Sequence, residues 1–163
     1  MTVTFSTPDL CDEFHGQLQV LEPLFQSFGG QSRFAGPIQT VKCFEDNSLV
    51  KDLANQDNPG GILVVDGGGS LRRALLGDLI AQAFVDQKWA GILINGCVRD
   101  VEILKTLPFG VKALNSIPVK TEKRGLGDLN VPVRFAGVDF KPGQWLYSDE
   151  TGIVVSDTRL ISE

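Results

Sequence analysis

A chain of 163 residues is long enough for one domain with a buried core, and we expect a single domain over residues 1–163. A hydrophobic fraction of 42% and a charged fraction of 21% exclude a disordered or fibrous chain. The net charge of −5 argues against direct nucleic-acid binding, and the densest basic group, Lys120, Lys123 and Arg124, is interleaved with acids and indicates a solvated loop. The sequence has neither an apolar run near the ~20 residues of a membrane helix nor a leader-like start, so we expect a cytoplasmic protein without a membrane partner.

Residues with redox-active or metal-binding side chains are few. The three cysteines have no CxxC spacing and predict neither a disulfide framework nor a zinc site. Cys43 and Cys97 lie in or beside apolar runs and are expected in the core. The single histidine, His15, is near a predicted helix end, so we expect it at the surface and not as a metal ligand.

The first third of the chain predicts two helices around one strand. A hydroxyl cap and a proline in the first turn predict a helix over 7–15, which Gly16 can end. Residues 38–44 have the β-branched content of a strand, and 46–57 place apolar residues on one helix face.

The middle of the chain predicts a βαβ unit. Two continuous apolar runs, 62–66 and 91–95, indicate strands buried on both faces, and a helix over 78–87 lies between them. A short helix at 101–106 follows. Ligands collect at the carboxyl ends of strands in such units, which directs attention to the two segments that come after these strands.

The last third predicts short strands separated by turns, at 111–115, 131–135, 138–140, 145–147 and 153–155. The predicted architecture is an α/β domain whose strands form more than one sheet, with helices outside.

The glycines after the first buried strand, at 67–69, resemble a nucleotide-binding loop such as the first motif of methyltransferases that use S-adenosylmethionine. However, the third glycine of GxGxxG falls on Arg72, and the acidic residue expected about 20 residues further on is missing. A tight turn near a ligand site is the better interpretation.

Two short segments are candidates for a binding site. A helix beginning at Gly77, Asp78, Leu79 and Ile80 would present unpaired N–H groups to a carboxylate or phosphate. The pair Arg99-Asp100 could bind a substrate carboxylate and a Mg²⁺ ion. Taken alone, the first segment is better explained as a simple helix entry and the second as a surface ion pair that opens the next helix.

Together these segments resemble the RraA family, which groups ribonuclease E activity regulators with class II 4-hydroxy-4-methyl-2-oxoglutarate aldolases. The similar segments are VVDGGG at 64–69, Gly77-Asp78, and NGCVRD at 95–100. The spacing of Asp78, twenty residues, and Arg99-Asp100 is similar to the aldolase pattern. The resemblance extends over nearly the whole chain.

The resemblance implies a swivelling β/β/α-type domain with a βαβ core and no methyltransferase activity. It implies a homotrimer, or a dimer of such trimers, with sites at subunit interfaces. Residues 77–80 would bind the carboxylate of a small 2-oxo acid through main-chain N–H groups, and Arg99 would contact the same acid. Asp100 would ligate a divalent cation, Mg²⁺ or else Mn²⁺, while Asp78 would hold a water of that cation.

The implied reaction is cleavage of 4-hydroxy-4-methyl-2-oxoglutarate and related acids to pyruvate, with oxaloacetate decarboxylation as a side activity. The cation and Arg99 would stabilise the pyruvate enolate, and a water held by the cation or by an acid would serve as base. The alternative is a regulator that binds and inhibits ribonuclease E or the RNA degradosome. Asp100 favours the lyase. The chain ends at Glu163 without the aldolases' longer carboxyl-terminal extension, which favours the regulator.

Overall fold

The chain forms one long mixed sheet with helices on one face, in a computed structural model that describes residues 4–162. The helices are α1 (Thr7–Glu13), α2 (Ser48–Ala54), α3 (Asp78–Asp86) and α4 (Val101–Leu104). The strands are β1 (Leu18–Val20), β2 (Gln26–Ser27), β3 (Phe34–Lys42), β4 (Ile62–Asp66), β5 (Ala74–Leu76), β6 (Gly91–Val98), β7 (Gly110–Ser116), β8 (Asp128–Leu129), β9 (Val133–Phe135), β10 (Val138–Phe140), β11 (Trp145–Ser148) and β12 (Ile153–Ser156).

The centre of the sheet is parallel, as the βαβ prediction requires. Strands β3, β4, β6 and β7 run in the same direction, and Asp66 at the end of β4 pairs with Asn95. Antiparallel strands β11, β12 and β1 extend the sheet beyond β3, whereas β9 and β10 form a separate hairpin. This arrangement confirms the α/β class and the expectation of more than one sheet.

Successive side chains of β4 point to opposite faces of the sheet, and the core is accordingly divided into two layers. Leu63 and Val65 pack with the apolar faces of α2, α3 and α4, whereas Ile62 and Val64 face the β9–β10 hairpin. All four are fully buried, and burying each side chain contributes roughly 1.5–3 kcal/mol. Burial on both faces explains why the run lacks polar alternation.

The structure differs from the predictions mainly at element ends. The second buried strand was predicted to end at residue 95, but β6 continues to Val98 with a register shift between Ile94 and Cys97. The segment 96–98 is therefore strand and not the loop after it. Helix α2 is shorter than predicted, and β3 begins at Phe34. The short strands β1, β2, β5 and β8 were not predicted, because strands of two or three residues depend on partners distant in sequence.

The expected positions of Cys43 and Cys97 in the core and of His15 at the surface are confirmed. Cys43 and Cys97 are buried, and His15 is exposed. Burial raises the pKa of the Cys43 thiol to about 12, so it stays a neutral core residue. No helix within residues 4–162 is long and apolar enough to cross a membrane.

Candidate functional site

The site begins where β5 and β6 end side by side. The two strands are parallel, and Leu76 pairs with Val98. One residue further on, the amide of Arg99 donates to the carbonyl oxygen of Leu76 at 2.9 Å. The chain then enters α3 from β5 and α4 from β6, so the pairing of these strands brings Gly77 next to Arg99 and Asp100.

Asp100 joins the two segments. Its Oδ2 accepts a hydrogen bond from the Asp78 amide at 3.0 Å and lies 3.9 Å from Nε of Arg99. The residue adopts a left-handed conformation with φ 57°, which aspartate tolerates better than most side chains. A carboxylate beside the first turn of α3 is also stabilised by the helix dipole.

Gly77 is needed for this close approach. Its φ of −128° is open to any residue, so backbone strain does not explain the glycine. A Cβ atom at this position would lie 2.8 Å from Oδ2 of Asp100 and 3.3 Å from Nε of Arg99. Any side chain here would therefore displace the Asp100 carboxylate from the start of α3.

The amides that open α3 are partly occupied. The Asp78 amide donates to Asp100, and the Leu79 amide donates to Oδ1 of Asp78 at 2.9 Å. The amides of Gly77 and Ile80 donate no hydrogen bond to any group within residues 4–162. Of the four N–H groups expected to receive a carboxylate, two are thus engaged by acidic side chains and two are open.

These residues line a small cavity, which we call the α3 cavity, of about 150 Å³. Its walls are formed by Asn47, Lys51, Ala74, Gly77, Asp78, Leu79, Ile80, Arg99, Lys120 and Lys123. Sites for drug-sized ligands have volumes of roughly 300–1,000 Å³, so this cavity suits a small metabolite and not a nucleotide.

Arg99 separates the α3 cavity from a second one of about 210 Å³, where Asp100 forms part of the wall. The Arg99 side chain is 39% exposed and makes no hydrogen bond within residues 4–162. Its guanidinium can therefore bind an anion from either side. The six predicted site residues, 77–80 together with Arg99 and Asp100, thus lie close to one another. Their roles stay predictions.

Asn47 is a site residue that the sequence did not single out for a role. Its side-chain amide donates to the carbonyl of Leu75 at 3.1 Å, and its oxygen accepts from the hydroxyl of Thr121 at 2.6 Å. Both side chains are buried. Asn47 therefore fixes the end of β5 to the loop that carries Lys120 and Lys123, which was interpreted only as a solvated loop. These lysines are exposed, but they also line the cavity.

The donor set at Asp100 fits a hard cation with few protein ligands. No group of three or more His, Cys, Asp or Glu side chains that could hold a metal occurs within residues 4–162. That excludes a zinc-type cage from the described residues. Mg²⁺ commonly binds through one or two carboxylates with water at its other positions, and Oδ1 of Asp100 is not used in a hydrogen bond in this part of the chain.

The glycine loop after β4 is hydrogen-bonded to residues of β4 and β6. The amides of Gly67 and Gly69 donate to the carbonyl of Asn95 at 3.1 Å, and that of Gly68 donates to Oδ1 of Asp66 at 3.0 Å. Because these amides are occupied, the loop has little left with which to bind a phosphate. Its geometry agrees with the tight turn and not with a nucleotide-binding motif.

Fold and site together define an α/β protein with a small cationic cavity at the carboxyl ends of parallel strands. The family model described as "RraA-like: Aldolase/RraA" matches residues 7–155, and the chain belongs to this family.

Similar proteins cover almost the whole chain. A protein of Stutzerimonas stutzeri (strain A1501) named "Putative 4-hydroxy-4-methyl-2-oxoglutarate aldolase" is 58% identical over 96% of both chains. A structure from Geobacillus kaustophilus, described as an S-adenosylmethionine: 2-dimethylmenaquinone methyltransferase, is 46% identical, with TM-score 0.95 over 98% of this chain and 99% of that one. The RNA-processing inhibitor RraA from "Thermus thermophilis" is 40% identical, with TM-score 0.94 over 98% and 97%. Similarity is thus shared with proteins of three different names.

Proposed function

We propose that this protein is a divalent-metal-dependent lyase that cleaves 4-hydroxy-4-methyl-2-oxoglutarate and related 4-hydroxy-2-oxo acids to pyruvate. Decarboxylation of oxaloacetate would accompany it, since both reactions form the enolate of pyruvate. The observation that carries the proposal is the contact of Asp100 with the start of α3, beside Arg99, whose guanidinium makes no hydrogen bond within residues 4–162 and lines a small cavity. The name of the Stutzerimonas relative supports the same reaction.

The groups around Arg99 suit the 2-oxo acid end of such a substrate. The guanidinium and the open amides of Gly77 and Ile80 can donate hydrogen bonds to a carboxylate and to the neighbouring 2-oxo oxygen. Negative charge that develops on this oxygen during carbon–carbon cleavage then faces positive charge held in place before the reaction. Asp100 would hold the cation, Mg²⁺ or Mn²⁺, which when bound supplies further positive charge for the same oxygen.

A base must remove the proton of the 4-hydroxyl group. His15 is exposed on the segment after α1 and does not line the α3 cavity. Asp78 lines the cavity and uses Oδ1 for the Leu79 amide, so its other oxygen can hold a water molecule. We assign proton removal to this water, oriented by Asp78.

An assay coupled to lactate dehydrogenase tests the proposal. With Mg²⁺ and either substrate, the protein should produce pyruvate, and Asp100→Asn should lower the rate by at least about 100-fold, the scale of losing a cation ligand. Asparagine is chosen because it tolerates the left-handed conformation and keeps an acceptor for the Asp78 amide.

Glu102→Gln is the matched control, since it removes an exposed carboxylate in the first turn of α4, two residues away. It should keep the wild-type rate. Absence of metal-dependent pyruvate from the wild-type protein would rule out the lyase.

A second candidate function is inhibition of RNA processing, which the similarity to the Thermus RraA favours. The partner would be ribonuclease E or its degradosome. The test measures RNA cleavage by ribonuclease E with increasing amounts of this protein. Cleavage that is not slowed, together with no co-purification, would exclude this function.

A further inference from the structure

A second and larger groove lies at the opposite end of the parallel strands from the α3 cavity. Its volume is about 760 Å³, against about 150 Å³ for the α3 cavity. Residues 34–37 at the start of β3 line it, and the segments that precede β4 and β6 contribute Gly60 and Ala90. Its other walls are formed by Phe5, the loop 30–33, Pro59, Trp145 and Arg159. We call it the Arg33 groove.

The Arg33 groove is positively charged, although the whole chain has a net charge of −5. Arg33 and Arg159 line it, and none of its lining residues within 4–162 is acidic. Gln31 and Ser32 add polar side chains that make no hydrogen bond within this part of the chain. Positive charge concentrated in this way attracts the anionic groups of a binding partner.

The two arginines of the groove lie over different rings of one aromatic row. Cζ of Arg33 is 5.9 Å from the centroid of the Phe5 ring, and Cζ of Arg159 is 4.9 Å from that of Trp145. Tyr147 contacts both rings, with centroid distances of 5.5 Å to Phe5 and 6.3 Å to Trp145. Because the rings restrict each guanidinium, two cationic groups are held in place before any ligand binds.

Arg33 differs from another arginine that lies over a phenylalanine. Cζ of Arg72 is also 5.9 Å from a ring centroid, that of Phe44, but its Nε is 2.7 Å from the carboxylate of Glu45. The side chain of Arg33 forms neither an ion pair nor a hydrogen bond within residues 4–162. Its planar fork of N–H donors can therefore bind a carboxylate that this part of the chain does not supply.

We propose that the Arg33 groove binds an acidic segment of a partner protein in an extended conformation. One carboxylate of the segment pairs with Arg33 and a second lies at the Arg159 end, while an apolar side chain between them packs on the half-buried Trp145 and on Pro37 and Pro59. Alternate side chains of an extended segment point the same way, and acids four positions apart are about 13 Å from each other. The inference goes beyond the proposed lyase and does not depend on it.

Two heptapeptides with blocked ends test the inference. TETLTET places two glutamates and a leucine on one side of an extended segment, and TQTLTQT replaces only the two glutamates by glutamine. Threonine is used at the other positions because it favours the extended conformation. Calorimetry should show TETLTET binding at least about ten-fold more tightly at low salt, with a smaller preference at high salt.

Arg33→Gln should lose most of this preference, and Arg159→Gln should lower the affinity for TETLTET by about three-fold or more. Arg72→Gln is the matched control, because it removes an arginine at the same distance from a phenylalanine ring but outside the groove. It should keep the preference. Thermal unfolding verifies that each variant is folded, and Arg33→Gln should form pyruvate at the wild-type rate.

The inference would be overturned by equal binding of the two peptides, by no binding of TETLTET at about 1 mM, or by a preference that survives in either groove variant. Tighter, Arg33-dependent binding of a short oligouridine would instead assign the groove to RNA. A lower mass of Arg33→Gln in light scattering would assign it to a second copy of this chain. Either of these results would also overturn the inference, and none of them bears on pyruvate formation by the wild type.

Discussion

At the scale of single residues, two positions show how the site and the fold depend on close contacts. Gly77 lets Asp100 reach the first amide of α3, as the 2.8 Å clash of an added Cβ atom shows. Asp46, just before α2, is a buried carboxylate that accepts four hydrogen bonds, two of them from Ser48 and the others from the amides of Arg124 and Leu126. The first residue concerns activity, and the second concerns stability.

Gly77→Ala should impair activity more than folding. The added methyl group moves the Asp100 carboxylate, and we expect kcat/KM to fall by about ten-fold or more, since small misplacements of catalytic groups are costly. The free energy of unfolding should change by less than about 1.5 kcal/mol, because the displaced group is the end of an exposed side chain. Gly152→Ala is the control, since an added Cβ there has no heavy atom of residues 4–162 within 4 Å apart from those of its chain neighbours. Equal activity of the two variants would contradict the assigned role of Gly77.

The stabilising contribution of Asp46 to the free energy of unfolding should be lost in acid. Burial raises its pKa, but the hydrogen bonds from Ser48, Arg124 and Leu126 outweigh burial and lower the pKa from 3.8 to about 2. Because the pKa is lower in the folded state, the carboxylate stabilises the fold above about pH 4, and this contribution is lost as the pH falls through about 2.

Urea unfolding between pH 5 and pH 2 measures this effect. The wild type should lose about 2 kcal/mol more than Asp46→Asn over this range, as the pKa difference requires. Asp57→Asn, which changes an exposed carboxylate, should follow the wild type. If the free energy of unfolding fell with pH in parallel for the wild type and Asp46→Asn, the prediction would be contradicted.

At the scale of elements, α1 is attached to the sheet by one buried carboxylate. Both the amide and the hydroxyl of Thr7 donate to Asp149 at 2.7 Å, and the same carboxylate accepts from the amides of Thr151 and Gly152. Burial raises the pKa of Asp149, but these hydrogen bonds lower it more, so the group stays charged. Asp149 therefore links the first turn of α1 to the turn between β11 and β12.

Thr7→Val should loosen α1. The substitution keeps the shape of the side chain but leaves one oxygen of the buried Asp149 carboxylate with fewer donors, which should cost about 1–3 kcal/mol. Hydrogen exchange of the amides in α1 should become faster than in the wild type, whereas exchange in β4 should change less. Thr151→Val is the control, because only the backbone of Thr151 contacts Asp149. Unchanged exchange in Thr7→Val would show that this contact does not hold α1.

At the scale of the whole molecule, we propose that the chain assembles as a homotrimer. Leu79 lines the α3 cavity and is 82% exposed, and two further apolar side chains on the surrounding segments, Ile103 and Val119, are also exposed. Apolar side chains around a polar cavity are expected where another subunit covers them.

Light scattering should give a mass about three times that of the 17.7 kDa chain. Leu79→Ser should shift the mass toward that of one chain, because it removes apolar contact area next to the site. Val20→Ser is the control, since this exposed side chain lies on β1, away from the cavity. A wild-type monomer, or a trimer unaffected by Leu79→Ser, would contradict the proposed assembly.

The sequence by itself determined the elements whose signals are local. The apolar run of β4, the helix start at Asp78 and the short helix after Asp100 follow from periodicity and from residues next to one another. The family pattern, with its fixed spacing between Asp78 and Arg99, also pointed to residues that the fold brings together. These features could be predicted because each is encoded within a few consecutive positions or in a known spacing.

Only the tertiary structure decided how the site is built around these residues. Segments separated by tens of residues are joined by the pairing of β5 with β6 and by the hydrogen bond between Asn47 and Thr121, and they also meet where Lys120 and Lys123 line the α3 cavity. No local pattern specifies such partners, because their free energy comes from contacts that exist only once the sheet has formed. For the same reason, Arg99-Asp100 could be predicted as a candidate site, whereas which amides of α3 remain open could not.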